Sequence, residues 1–385
     1  MKNKTDILKV WCMIFCLFAS LLTGCSDEAN ENPPKQEKVS VEEIKDDIEQ
    51  AMSREYAQFL MDDNVNYTVP TKIMDCTFFT KKDFAQNYES VFLSVTDSEK
   101  LNEKYLIKDD DFMGEGYVYD NPEEKKYAAI SDSGFVSFFN GVMYNADFSS
   151  FPIKQVIVNG SSEWYSDFDF NGMSFSVDKA TEICQKWIEE KWVQYEPDLT
   201  FKPSHICIIN DGKEDIITVT YNKYYNGVKL CGCDRSIMPP DTGFYEQIRN
   251  TEMKLFITKN GVVEGFSVGL CSLEVKDNEE IDEIMSLTSV MDFVEDKFSE
   301  YKKYDVVGVN LKYILIYELE INASFCDENV SNKVKLVWEI LIKPDYPDLK
   351  KADTCDIPNF LYVNVDAVTG ELDFELNPAE RSRGF

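Results

Sequence analysis

The sequence holds a single histidine, His205, among 385 residues. Histidine is the commonest general acid–base group and a frequent metal ligand. One copy leaves little room for a Ser-His-Asp arrangement or a multi-histidine metal centre. Positive charge is also scarce: 39 Lys and Arg stand against 70 Asp and Glu, a formal net charge of −31. Nucleic-acid binding needs a basic footprint on the phosphates, so that class is excluded, as is broad docking on anionic lipid. A spanning hydrophobic run is missing too. The apolar stretch Val10–Leu22 is about 13 residues long, against the roughly 20 that a bilayer-spanning helix needs.

What that stretch does have is a setting. Lys2, Lys4 and Lys9 precede or open it, and small residues follow it, ending in Leu22-Thr23-Gly24-Cys25. The order is that of a signal peptide. The last four residues resemble the lipobox of bacterial lipoproteins. The resemblance implies diacylglycerol on the Cys25 thiol, cleavage before it, and a mature chain held on the extracytoplasmic face of the cell membrane. Residues 1–24 are then signal peptide. Each buried methylene of a lipid chain contributes about 0.8 kcal/mol, so two chains hold where one does not. From Ser26 to Lys38 the chain is polar and contains Pro33-Pro34. It cannot bury enough apolar surface to fold, so residues 25–38 read as a flexible tether.

Of the 11 cysteines, Cys12 and Cys16 belong to the signal peptide and Cys25 is the expected lipid-bearing residue; Cys76, Cys184, Cys207, Cys231, Cys233, Cys271, Cys326 and Cys355 remain. An even count outside the cell permits disulfides, and reduced thiols are equally open, because the spacing matches no framework. An acidic, aromatic-rich body of this length predicts a real core and a soluble exterior.

A first helix is signalled at Ser40-Val41-Glu42-Glu43, a capping box in which the Ser40 hydroxyl accepts from the Glu43 amide and the Glu43 carboxylate reaches back. Val39 and Ile44 are placed for a hydrophobic staple. Ile44, Ile48, Ala51, Met52, Phe59 and Leu60 recur at helical spacing, which predicts a helix ending near 62–64. A short helix over 80–93 and strands at Gly116–Tyr119 and Tyr127–Phe139 complete a small mixed N-terminal region, 39–170. Beyond it, Ser176 caps a helix through Val177, Ala180, Cys184, Trp187, Ile188 and Lys191, with Asp178 in its first turn. Strands are expected at 201–209, 216–230 and 253–268, the last turning at Asn260-Gly261. A second helix, 289–301, precedes strands at 309–321, 334–342 and 360–375, the last turning at Thr369-Gly370. Helix then strands, twice, about 110 residues apart, predicts an α+β fold of repeated helix-plus-antiparallel-sheet modules, 171–275 and 284–376.

Phe360-Leu361-Tyr362-Val363-Asn364-Val365-Asp366-Ala367-Val368-Thr369-Gly370-Glu371-Leu372 resembles the closing hairpin of PepSY-type domains, with Val337-Trp338-Glu339-Ile340 as the strand before it. Tyr221-Asn222-Lys223-Tyr224-Tyr225-Asn226-Gly227-Val228 is similar to a stretch of related modules in peptidase propeptides. The resemblance implies a helix packed across an antiparallel sheet and a non-catalytic role: inhibiting, chaperoning or regulating peptidases, or serving as an envelope interaction domain.

Three constellations carry possible chemistry. Gly265-Phe266-Ser267-Val268-Gly269 matches a nucleophile elbow, but the serine falls inside a predicted strand and the histidine lies upstream, so Ser267 reads as a strand residue. Asp167, Asp169, Asn171, Gly172 and Asp178 fit the spacing of an EF-hand calcium loop. The same residues alternate Asp with Phe168 and Phe170, which is itself a strand signature closed by an Asn-Gly turn, and this is the favoured reading. His205, Cys207, Cys231 and Cys233 fall on neighbouring predicted strands, where a zinc site needs four convergent soft ligands; buried thiols or a disulfide are the simpler account. The expectation is therefore a non-enzymatic, lipid-anchored envelope protein that binds a protein or peptide partner. It has no resident cofactor unless calcium binds at the Asp167 loop. The alternative is an extracellular solute- or calcium-binding lipoprotein.

Overall fold

A computed structural model describes residues 37–80, Leu93, 104–109, 114–131, 136–144, 151–236, 245–247, 252–269, 273–296, 303–319, 332–343 and 361–375. The chain divides into two units, Met1–Glu37 and Lys38–Phe385, and the described elements belong to the second. Strand β1 (Lys38–Ser40) leads into helix α1 (Ile44–Ser53). Strands β2 (Phe59–Tyr67), β3 (Met74–Thr80), β4 (Lys104–Asp109), β5 (Gly114–Asn121), β6 (Lys126–Ser131), β7 (Val136–Asn140) and β8 (Ile153–Val158) follow. The hairpin β9 (Asp167–Phe170) and β10 (Met173–Ser176) feeds α2 (Val177–Trp187), which continues through a π turn to Trp192. Then come β11 (Leu199–Asn210), β12 (Asp215–Tyr225), β13 (Val228–Ser236), β14 (Tyr245–Gln247), β15 (Met253–Ile257), β16 (Val263–Val268), β17 (Leu273–Glu280) and β18 (Glu283–Met285). Helix α3 (Leu287–Glu295) precedes β19 (Tyr304–Leu319), β20 (Asn332–Ile342), β21 (Leu361–Asp366) and β22 (Leu372–Glu375).

This corrects the expected fold class. The protein is mostly β, with three α-helices among the described residues, and it is not built of repeated helix-plus-sheet modules after a small mixed domain. One 16-stranded mixed sheet takes strands from every part of the body. Its spine runs β22-β21-β20-β19-β13-β12-β15-β16-β7-β6-β5-β4. The joint that merges the two supposed modules is β13. It leaves β12 after Lys229 and pairs in parallel with β19, from Lys229 opposite Lys312 onward. Sequence periodicity reports each strand's faces but not its neighbour, so this long-range pairing was invisible to it.

The helices also pair across the chain. Helix α1 packs against α3, and β1 lies antiparallel to β18. The Asp47 carboxylate on α1 accepts from the Ser286 hydroxyl (2.7 Å), the Leu287 amide (2.6 Å) and the Thr288 hydroxyl (3.0 Å), capping α3 from another element. Half of the predicted capping box forms. The Glu43 carboxylate reaches the Ser40 amide (3.4 Å), but the Ser40 hydroxyl donates to that carboxylate (2.8 Å) instead of accepting. Helix α1 stops at Ser53, short of the predicted end. Phe59 and Leu60 fall in β2, pairing in parallel with Tyr304 and Asp305 of β19, and sheet pairing overrides the helical spacing. The Ser176 cap of α2 is as predicted, its hydroxyl accepting from the Lys179 amide at 3.1 Å.

Both faces of the central strands are buried. Ile217, Val219 and Tyr221 of β12 and Val309, Leu311 and Tyr313 of β19 face the main core, with the helix residues Ile48, Ala180, Ile188 and Val290. The opposite face carries Thr218, Thr220, Asn222, Asn310 and Lys312, also buried. Strand β8 approaches this second face: Val158 packs with Val307 of β19 and Leu341 of β20. Gly160, at φ +95°, permits the approach, because a Cβ there would collide with the Val307 carbonyl oxygen.

Candidate functional site

Cys25 lies outside the described residues, as do Cys233, for its side chain, and Phe298 and Tyr301 of the predicted second helix. The predicted helix over 80–93 also falls there, apart from Thr80 and Leu93.

The calcium-spaced residues form the hairpin that alternation favoured. Phe168 and Phe170 are buried against Phe175 while Asp167 and Asp169 face outward. Asn171 (φ +54°) and Gly172 (φ +78°) make the turn. The Asn171 side chain is committed to a neighbour: its Nδ2 donates to the Asp215 carbonyl (3.1 Å) and its Oδ1 accepts from the Asp215 amide (2.7 Å). Asp167 accepts from the Ser174 hydroxyl (2.7 Å), and Asp169 sits 3.9 Å from the Lys154 ammonium. Asp178 belongs to the first turn of α2. These oxygens are turned to separate partners, and no group of three or more His, Cys, Asp or Glu side chains is gathered as a metal would need among the described residues.

The other constellations are also built into the sheet. Ser267 lies mid-strand in β16, opposite Lys254 and Ser137, with no sharp turn at the serine. The buried His205 ring has its Nδ1 2.9 Å from the Ser204 hydroxyl, which also reaches the Thr220 carbonyl. Cys207 packs with Met143, Ile209, Ile216 and Phe256, whereas Cys231 lies on β13 opposite Ile314. Cys76, Cys184, Cys207 and Cys231 are thiols, not disulfides. Burial pushes the Cys76 thiol up to about 12 and raises that of Cys184 as well, so both stay protonated at neutral pH.

Two clusters of charge are buried in the sheet, and they differ in one respect. On the helix side, Lys223 donates to Glu196 (2.7 Å) and to the Gly269 carbonyl (3.0 Å), and Glu196 accepts from the Trp192 indole (2.6 Å). Each group there has its partner. On the other face, Glu339 of β20 accepts from Lys229 of β13 (2.7 Å) and from Lys312 of β19 (2.8 Å). Burial alone would raise the Glu339 carboxyl, but the two ammonium groups outweigh it and hold it at about 2. Glu339 also stands directly opposite Asn310 on one side and Asn364 of β21 on the other. Directly opposed residues share a face, so Asn310, Glu339 and Asn364 form a row across three strands. In this row satisfaction fails. Asn364 is 0% exposed, and neither its Nδ2 nor its Oδ1 has a hydrogen-bond partner; the Asn310 Oδ1 has none either. Burying an amide without partners costs about 1–3 kcal/mol on mutational scales. A leucine of similar size would avoid that cost. The row is the candidate binding site.

Sequence reasoning missed these residues. Asn310 and Lys312 alternate with Val309, Leu311 and Tyr313, as Glu339 alternates with Trp338 and Ile340, and Asn364 with Val363 and Val365. Such alternation ordinarily marks a solvated face. The only cue was quantity: polar residues at matching positions of several central strands.

A second feature is an open groove of about 440 Å³ beside α2, lined by Asp178, Thr181, Glu182, Gln185, Pro203 and Tyr221.

No protein-family model matches the chain. No curated protein matches it either. Among solved structures, it is similar to the crystal structure of an uncharacterised protein from Eubacterium rectale ATCC 33656, with a TM-score of 0.53 and 13% sequence identity, over 86% of this chain and 99% of that one. At that identity the likeness shows a shared fold and nothing of activity, so the comparisons place the chain by its architecture alone.

Proposed function

We propose that the chain is a non-enzymatic, lipid-anchored protein of the cell envelope that binds a protein or peptide partner on the extracytoplasmic side. The lipobox-like Leu22-Thr23-Gly24-Cys25 supplies the anchor and residues 25–38 the reach. The observation that carries the binding reading is the sheet itself. Among the described residues, β4 pairs only with β5 and β22 only with β21, so each of these two end strands of the long mixed sheet has one edge without a described partner. Such edges accept a partner strand through main-chain hydrogen bonds. The acidic body favours a partner with a basic face.

The test is chemical cross-linking on intact cells expressing the full chain, with photoreactive groups placed at the β22 edge and, separately, on the exposed turn at Lys213. A single saturable adduct from the edge position and none from the turn supports strand addition. Equal, unsaturable labelling from both contradicts it.

A further inference from the structure

We infer that the Asn310–Glu339–Asn364 row is a binding site for a small solute that carries a carboxylate beside an amide group. The inference goes beyond the partner-binding reading and does not depend on it.

Three observations carry it. First, the Asn364 carboxamide offers two donors and an acceptor, none of them used, on a residue fully removed from solvent. The Asn310 Oδ1 adds an unused acceptor two strands away, with Glu339 between them. A ligand amide presents the complementary donor and acceptor. Second, Lys229, which donates to Glu339, is the more exposed of the two ammonium groups that hold it. Its side chain is 13% exposed, and one of its three N–H groups goes to Glu339, leaving donors for an entering carboxylate. Third, the neighbouring ionic cluster at Lys223 shows what a purely structural pair looks like in this sheet: its ammonium, carboxylate and indole are matched to one another. By contrast, the Asn364 row holds more polar capacity than the fold uses, and within it a whole carboxamide is left without a partner. Glu339 plays the positioning part, holding Lys229 by its carboxylate, and it repels an anion that enters in the wrong orientation.

The experiment is thermal unfolding of the full chain titrated with N-acetylglycine, which carries both groups, and with N-acetylglycinamide, which lacks the carboxylate. The wild type should show a saturable rise in Tm with N-acetylglycine and a smaller rise with the amide. Asn364→Leu should unfold at a higher temperature than wild type without ligand and respond to neither compound. Lys229→Met should lose the preference for the carboxylate while keeping the response to the amide. If Asn364→Leu does not fold, the Lys229→Met arm decides alone. The inference is overturned if wild type shows no saturable shift at tens of millimolar of either compound, on the order of the weakest useful ligand affinities. It is equally overturned if Asn364→Leu responds as wild type does. Neither failure touches the cross-linking result at β22, so the two readings fail separately.

Discussion

The Asp47 carboxylate accepts the Leu287 amide at 2.6 Å, so a side chain of the first helix caps the third across 240 positions of sequence. The same carboxylate takes the hydroxyls of Ser286 and Thr288. Helix α1 is thereby fastened to α3, the helix that precedes β19 in the chain.

Asp47→Ala removes a buried cap and leaves several donors unmatched. It should lower stability by about 2–3 kcal/mol in urea unfolding, whereas the exposed neighbour Asp46→Ala should change it by less than about 0.5 kcal/mol. Equal effects would show that the cap does not join the helices.

Glu339→Ala leaves Lys229 and Lys312 buried without the carboxylate they both donate to. Breaking a buried ion pair from one side costs about 3–5 kcal/mol. The pH dependence has a definite sign. The folded carboxyl titrates at about 2, below its ordinary value of 4.5. Its contribution is therefore fully present above 4.5 and is lost as pH falls from there through about 2. Wild type should lose stability through that window, and Glu339→Gln should flatten the profile there.

Burial keeps the thiols of Cys76 and Cys184 protonated and screened. Iodoacetamide at pH 7.5 should leave both unmodified in the folded protein and label both in guanidinium, read by peptide mass. Native labelling at rates near those of a free thiol would show that these positions open.

Millimolar calcium should leave the unfolding temperature unchanged, because the Asn171 side chain is held by Asp215 and Asp178 is taken into α2. A rise that Asp169→Asn abolishes would restore the calcium reading of the Asp167 loop.

Local chemistry was legible in the sequence. Ser176 and Asp178 announced α2, Asn260-Gly261 and Thr369-Gly370 announced hairpins, and the alternation of Asp167 to Phe170 announced β9. What failed were inferences that needed a neighbour. Phe59 and Leu60 carry helical spacing but pair with β19, and β13 leaves its own hairpin to join two stretches read as separate modules. The candidate site failed for a related reason. Asn310, Glu339 and Asn364 look like the wet side of three strands until the packing on the far face of the sheet is known. Periodicity distinguishes the two faces of a strand; it does not say that both are covered.

The central proposal is a body held at the membrane by lipid on Cys25. Its most direct test is the intact mass and N-terminal peptide of the full-length gene product extracted from bacterial membranes. The account predicts a chain beginning at Cys25, heavier than the bare polypeptide by a diacylglyceryl group, and its loss from the membrane fraction in Cys25→Ala. A membrane-bound chain that begins elsewhere, or a Cys25 thiol without lipid, would contradict it.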